Sequence, residues 1–154
     1  MSRTALGERK AGDVTRRSAG HRILPHTADL IIEAWAPTRI GCLEEAARAL
    51  VDSFARIPGD AAGQPYPITF AQDADDAILV ALLEEVIFAL DVLGSVPINV
   101  ALSEGEDGGV AGFLEIARVD TLEIHGSAPK GASLEELFFG QDDSGWRCRA
   151  TIDV

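Results

Sequence analysis

The sequence predicts one α+β domain, with a mixed β-sheet of about six to seven strands and two main helices packed on one face. The first observation behind this is the order of periodic segments, which runs β-α-β-α-β-β-β-β without a repeating β-α-β unit. The second is size, since 154 residues with 47% hydrophobic residues can bury one core of ordinary dimensions. The third is that the sequence has no internal repeat, which argues against a solenoid.

Alternating apolar side chains predict the strands. We expect an opening strand over 21–36, ended by the proline that follows it. Further strands are expected at 66–70, 96–102, 112–119 and 134–139. The closing strand, 146–154, should turn Ile152 toward the core and Thr151 and Asp153 toward solvent.

Two segments have helical periodicity. Residues 43–57 place apolar side chains three and four positions apart, and Pro58-Gly59 should end this helix. Residues 75–93 are apolar almost all round, so we expect them to form the central buried helix. Glu84 and Asp91 share one stripe of it, which is either its solvated edge or an acidic stripe that faces a substrate.

Charge divides the chain into a basic tail and an acidic body. Residues 1–20, expected to be a disordered tail, carry five cations against two acids, so a net charge of −12 leaves −15 on residues 21–154. Phosphate backbones are bound by basic surfaces, so strong direct nucleic-acid binding is not expected. The acidic body suits cations or a partner protein with a basic surface.

The cysteines and the hydropathy pattern indicate a cytoplasmic protein. Two cysteines are too few for a disulfide framework, and Cys148 falls on an apolar strand face, as a core thiol does. The first twenty residues lack the apolar stretch of a signal peptide. The apolar run 77–93 is interrupted by acids and is too short to span a membrane, so we expect a reducing location and no membrane partner.

Two aspartates are candidate metal ligands. Asp29 begins a strand, and Asp153 lies on the polar face of the closing strand. If these strands pair, the carboxylates form an oxygen-rich site for a hard cation. Spacing alone favours two separate solvated carboxylates, because nothing local brings together residues that are 124 positions apart. Lys130 is the only lysine of the acidic body, placed there by chance or because a compact ammonium is required.

Other kinds of chemistry have weaker support. The sequence has no Gly-rich phosphate loop, G-x-S-x-G elbow, C-x-x-C or H-E-x-x-H. One alternative is a small divalent-metal-dependent hydrolase that uses His26, Asp29 and Asp153, and it would need a further ligand and an activated water. Another is a chaperone-like protein-binding module, which would need an exposed apolar patch.

Several segments, taken together and in order, resemble the archease family. They are His26-Thr27-Ala28-Asp29, residues 43–50, residues 82–91, residues 129–133, and the closing Ile152-Asp153-Val154. The likeness covers 21–154. The chain departs from the family pattern at Leu82, Glu84, Leu134 and Glu135.

The resemblance implies a non-catalytic partner of an RNA ligase of the guanylylated-histidine type. Archeases assist a ligase that joins RNA with a 3′-phosphate or 2′,3′-cyclic phosphate to a 5′-hydroxyl end, in tRNA splicing and RNA repair. They promote guanylylation of the ligase and its multiple turnover. This likeness predicts the same role, an activator rather than an enzyme, for the present chain.

The resemblance also implies which residues form the site. Asp29, Asp153 and an oxygen of Val154 would bind a divalent cation, with calcium as the first expectation and manganese or magnesium as alternatives. Lys130 matches the functionally important lysine of the family, so with the two aspartates it would serve ligase activation. His26 and Glu135 are the expected neighbours of these ligands.

Overall fold

The computed structural model describes residues 18–26 and 29–154, without the side chains of residues 25 and 26. This part of the chain contains nine strands and two α-helices. They are β1 (Gly20–His26), β2 (Asp29–Ala36), α1 (Arg39–Asp52), β3 (Ala55–Arg56), β4 (Gln64–Phe70), α2 (Asp75–Asp91), β5 (Ser95–Glu104), β6 (Val110–Arg118), β7 (Glu123–Ile124), β8 (Gly131–Asp142) and β9 (Gly145–Asp153). A short 3₁₀ turn, Val119–Thr121, precedes β7.

The α+β class is confirmed, but the strands are arranged differently from the expected single mixed sheet. They form three antiparallel sheets with the orders β1-β2-β9-β8, β4-β6-β5 and β3-β7. Each helix contacts both larger sheets, since α1 lies against β2 and β5 and α2 lies against β8 and β5. Each sheet has one apolar face to bury, and helices with more than one apolar side can cover both.

The expected strand over 21–36 is a hairpin, in which β1 and β2 pair antiparallel. Thr27 and Ala28 between them lie outside the described residues. The proline at position 25 is tolerated because β1 is an edge strand, with a partner on one side only. The expectation of a disordered tail over 1–20 falls almost wholly outside the described residues.

Both predicted helices exist, and the bounds of α1 differ most. It spans 39–52 instead of 43–57, because the Thr38 side chain caps its start by accepting a hydrogen bond from Gly41 N at 3.0 Å. The chain leaves the helix after Ser53, and β3 then pairs with β7. Helix α2 begins where it was predicted and ends two residues earlier. Neither helix is long and apolar enough to cross a membrane.

One hydrophobic core includes side chains from both helices and both larger sheets. The expectation that α2 is central is confirmed, since seven of its apolar side chains are at most 6% exposed and Leu90 is partly buried. These seven are Ile78, Leu79, Leu82, Leu83, Val86, Ile87 and Ala89. Cys148 is a buried core thiol, as expected. Its hydrogen bond with Cys42, together with burial, raises the pKa of Cys148.

Strand β8 bulges away from β9 over residues 134–137. Thr151, expected to face solvent, is instead buried, and its Oγ1 donates a hydrogen bond to the Glu135 carbonyl at 3.3 Å. The bulge therefore covers this position of β9. Glu136 within it has φ 55°, a left-handed conformation that residues other than glycine rarely adopt.

His21 joins the edge strand β1 to α1. Its Nε2 lies 2.7 Å from Asp52 Oδ2, and its Nδ1 lies 2.9 Å from Glu45 Oε1. The hydrogen bond with Asp52, and then that with Glu45, raise the pKa of His21 from 6.5 to about 9. The imidazole is therefore cationic at neutral pH and connects two acids of the helix to the first strand of the sheet.

The His21 contact should make stability depend on pH. Because the pKa of His21 is raised in the folded state, this contact adds its full amount to the free energy of unfolding below the unfolded pKa of 6.5. The stabilisation is lost as pH rises through the folded pKa of about 9. At pH 6, His21→Gln should cost about 1–2 kcal/mol, an amount reduced by solvent at the half-exposed Asp52. Urea unfolding of both proteins at pH 6, 8 and 10 checks this. A difference that stays constant to pH 10 would contradict it.

Leu83→Ala tests whether α2 is the centre of the core. Leu83 is fully buried, so its truncation should lower the free energy of unfolding by about 2–5 kcal/mol through cavity formation. Leu134→Ala is the matched control, because Leu134 is 75% exposed and its loss should cost less than about 0.5 kcal/mol. Equal midpoints of the two variants in denaturant melts would mean that α2 is not central.

Candidate functional site

The residues predicted to bind a metal lie in one row across an end of the four-stranded sheet. Asp29 of β2 is directly opposite Asp153 of β9. His26 of β1 is opposite Asp29, and Gly131 of β8 is opposite Asp153. Opposite residues of antiparallel strands point to the same face, with Cβ atoms about 4.5–5.5 Å apart. The two carboxylates therefore share one face of the sheet.

Lys130 is attached to this row through its backbone. Its N–H donates a hydrogen bond to the Asp153 carbonyl at 2.7 Å, and its side chain is exposed. In the described part of the chain, all seven arginines have a carboxylate partner within 4.0 Å, whereas Lys130 has none there. Its ammonium is thus free of the internal ion pairs that occupy the described arginines.

A third carboxylate, Glu84 of α2, reaches the same end of the sheet. Its Oε2 accepts a hydrogen bond from Ala132 N at 3.1 Å on the free edge of β8. A side-chain carbon on Gly131 would stand 4.0 Å from Glu84 Oε2 and 4.0 Å from Asp153 Oδ2, so these acids flank that glycine. The helical spacing that placed Glu84 on a stripe with Asp91 gave no signal of this contact.

The remaining predicted site residues have different surroundings. Val154 follows β9, is half-buried and packs against the core. Glu135 is exposed on the bulge, and its N–H donates a hydrogen bond to Ser133 Oγ at 3.0 Å. The side chain of His26 lies outside the described residues. The proposed roles of these three residues stay predictions.

Arg22 and Arg149, on the strands that carry this row, form ion pairs with Glu33 and not with the two aspartates. Glu33 accepts from Arg22 Nε at 2.9 Å and from Arg149 at 2.6 Å, and Arg149 also lies 3.5 Å from Glu136. Among the described residues, no three His, Cys, Asp or Glu side chains are close enough together to hold one metal ion. A hard cation at the aspartate pair would therefore need backbone or water oxygens to complete its coordination.

Comparison with known proteins identifies the family. The model of the archease protein family (MTH1598/TM1083) matches residues 21–154, the whole acidic body. The chain belongs to the archease family. "Probable protein archease" of Mycobacterium tuberculosis (strain CDC 1551 / Oshkosh) is 46% identical over 137 residues, which are 89% of this chain and 76% of that protein. The protein of the same name from strain ATCC 25618 / H37Rv gives the same values.

Two solved structures have the same fold. The solution structure of Methanobacterium thermoautotrophicum protein 1598 has a TM-score of 0.69 at 18% identity, covering 88% of this chain and 99% of that one. The crystal structure of a Thermotoga maritima protein, described as "an archease, possible chaperone", has a TM-score of 0.61 at 16% identity. That match covers 85% of this chain and 94% of the other. At these identities the likeness shows the archease fold alone.

Glu84 should hold the first residues of β8 against α2. Glu84→Ala removes the acceptor of the Ala132 N–H, and the loss of one such hydrogen bond costs about 1 kcal/mol, or about fivefold in the opening equilibrium. Hydrogen exchange at Ala132 should therefore quicken by about that factor. Glu84→Gln keeps an acceptor oxygen and should leave the exchange rate nearly unchanged. Equal protection in all three proteins would contradict a structural role for this contact.

Proposed function

We propose that this chain is a non-catalytic activator of a cytoplasmic RNA ligase of the guanylylated-histidine type. The ligase would join 3′-phosphate or 2′,3′-cyclic phosphate ends to 5′-hydroxyl ends in tRNA splicing or RNA repair. The observation that carries the proposal is the pairing of Asp29 with Asp153 at a sheet end where Lys130 is bonded to Asp153. Membership of the archease family supports the choice of partner.

The aspartate pair is suited to a hard divalent cation. Carboxylates are the ligands that calcium and magnesium prefer, and here two of them lie on one sheet face. Water and backbone oxygens such as that of Val154 would complete the coordination. When bound, such an ion would neutralise negative charge on phosphate oxygens. The aspartates themselves would hold and orient it without taking part in bond formation.

Lys130 would supply the second positive charge. Its ammonium lacks a carboxylate partner among the described residues and is carried on a flexible stem, so it can contact a phosphate or an acidic residue of the ligase. The acidic body would attract the basic surface that a ligase presents to RNA and GTP, and this attraction should weaken as salt rises. Activation would then depend on docking followed by local charge neutralisation.

A ligation time course tests the function. With substoichiometric ligase from the same cell, the unmutated chain should increase guanylylation and the number of turnovers. Asp29→Asn, Asp153→Asn and Lys130→Ala should each reduce the guanylylation rate to that of the ligase alone, with circular-dichroism melting temperatures no lower than that of the unmutated chain. Glu106→Gln, which removes an exposed charge from the β5–β6 turn, is the matched control and should stimulate fully.

Four results would contradict the proposal. Full stimulation by all three site variants would contradict the role of the site. If the unmutated chain gave no stimulation, the proposed function itself would be contradicted. Hydrolysis of a phosphate ester by the chain alone, lost in Asp29→Asn, would support a metal-dependent hydrolase instead. If the chain protected several unrelated proteins from aggregation to the same extent, the result would support a chaperone, the activity considered for the Thermotoga maritima relative.

Calorimetric titration with calcium separates metal binding from activation. Asp29→Asn and Asp153→Asn should each weaken calcium binding by at least about tenfold, which corresponds to about 1.4 kcal/mol. Lys130→Ala should leave the calcium affinity unchanged or slightly increased, because it removes a positive charge near the site. The same titration with manganese and magnesium ranks the cations. An unchanged calcium affinity in both aspartate variants would contradict the metal site.

A further inference from the structure

The outer face of the sheet β4-β6-β5 carries a cavity of about 260 Å³. It is lined by Gly63, Pro65, Asn99, Ala101, Phe113 and Glu115. None of these residues is a cation, and Glu115 alone is charged. Phe113 is 53% exposed although Leu114 beside it is fully buried, so its ring belongs to the outer face. An exposed aromatic ring beside a lone carboxylate is the feature that needs an explanation.

The polar groups of this cavity are held in place by the backbone. Glu115 Oε2 accepts a hydrogen bond from Gly63 N at 3.1 Å. Asn99 Oδ1 accepts one from Val100 N at 2.9 Å, which leaves the amide NH₂ of Asn99 as a donor. Asn99 and Pro65 lie opposite Glu115 on its two neighbouring strands. The carboxylate is thus oriented before any ligand arrives, which lowers the entropic cost of binding one.

The molecule contains the same combination elsewhere with an arginine added. On β2, Glu33 and Trp35 are two residues apart, and Arg22 lies 2.9 Å from the Glu33 carboxylate and 5.5 Å from the Trp35 ring centroid. On the four-stranded sheet, Arg147 lies 3.0 Å from Asp142 and 5.2 Å from the Phe138 ring centroid. In both cases a guanidinium contacts an aromatic ring and a carboxylate together.

Phe113 and Glu115 repeat the spacing of Trp35 and Glu33 without a cation. They are two residues apart on one face of β6. Glu33 has Arg22 opposite it on the neighbouring strand β1, whereas the residues opposite Glu115 are the uncharged Pro65 and Asn99. No described cation of this chain pairs with Glu115. An arginine side chain from another protein would complete the set that this chain builds twice for itself.

We propose that the cavity between Phe113 and Glu115 is a subsite for an arginine side chain of a basic partner protein. The guanidinium would lie on the Phe113 ring and donate hydrogen bonds to Glu115, with Ala101 leaving room beside the ring. Arginine fits better than lysine because its planar group stacks and hydrogen-bonds at once. The proposal deepens the proposed function by naming a contact of the partner, and its first test does not use the ligase.

Other occupants agree less well with the charges. A nucleotide would bring phosphates to a cavity that has an acid and no cation among its lining residues. A second copy would bring another net charge of −12, so the two molecules would repel each other. A basic protein is instead attracted by the acidic body and can place one arginine in the uncharged surroundings of Glu115.

The first test is a titration of the ¹⁵N-labelled full chain with N-acetyl-arginine amide, followed by NMR. The amides of Asn99, Phe113 and Glu115 should shift, and the uncharged isostere N-acetyl-citrulline amide should bind several times more weakly. Phe113→Leu and Glu115→Gln should each weaken arginine binding roughly two- to fivefold. The matched controls, Phe88→Leu and Glu106→Gln, remove another exposed ring and another exposed acid and should bind arginine normally.

Equal binding of citrulline, or shifts that Glu115→Gln leaves unchanged, would overturn the subsite. Stronger competition by guanosine monophosphate at the same amides would assign the cavity to a nucleobase. A dimer in sedimentation that Phe113→Leu dissociates would assign it to a second copy, and both results would overturn the proposal. Melts of each variant, monitored by circular dichroism, confirm folding.

The ligase then tests the assignment of the partner. Glu115→Gln should raise the concentration of the chain needed for half-maximal ligase stimulation roughly two- to fivefold without changing the maximal rate. Arginine binding without this effect would keep the subsite and overturn its assignment to the ligase. If the unmutated chain fails to stimulate the ligase, the proposed function is lost while the arginine titration still decides the subsite.

Discussion

The antiparallel pairing of β2 with β9 is the contact on which the other features of the molecule depend. Glu33 of β2 and Arg149 of β9, which are bonded to each other, lie 116 positions apart in the sequence. Burial of apolar side chains on one face of this strand pair must therefore offset the entropy lost in closing so long a loop. Small side chains at most 4% exposed make up much of that face and of the buried side of α1: Ala34, Ala36, Cys42, Ala46, Ala49, Cys148 and Ala150. They let the helix approach closely. A slip of one residue would turn the charged side chains inward, so the core also fixes the partner of Asp29.

Burial could be predicted from the sequence where it follows a periodic pattern of neighbouring residues. Contacts between distant residues, which depend on how the elements pack, could not. The central position of α2 follows from its nearly all-round apolar sequence, and the alternation of β9 follows from a period of 2 except at Thr151. The hairpin in 21–36 was missed because residues 26–29 contain none of the Asn-Gly, Asp-Gly or Gly-Gly pairs that signal a two-residue hairpin loop. His21 and Glu84 bond to residues 24 to 48 positions away, at distances decided by how α1 and α2 pack. The 134–137 bulge has no residue signal that distinguishes it from a regular strand.

The distribution of charge gives long-range attraction of a partner and short-range contact with it to different parts of the molecule. Each described arginine is paired with an acid of the same chain, so the surplus negative charge is left on the surface. Its field extends about 8–10 Å at physiological salt and acts on any basic partner without selecting among surfaces. The outer face of β4-β6-β5 has little charge around Phe113 and Glu115, so contacts there depend on shape and hydrogen bonding. The two features would act at successive stages of association.

The register that builds the core also leaves two acids opposed at the end of the sheet. Asp153 lies four residues from Arg149 along β9, about 13 Å at the rise of a strand, which exceeds the screening length of about 8 Å. The buried side chains of Ile31 and Thr151 occupy the interval, and Arg149 is already paired with Glu33. Like charges directly opposite each other on neighbouring strands destabilise their pairing. An added cation would relieve this repulsion, so ligand binding at Asp29 and Asp153 would be coupled to the stability of the strand pair that holds the fold together.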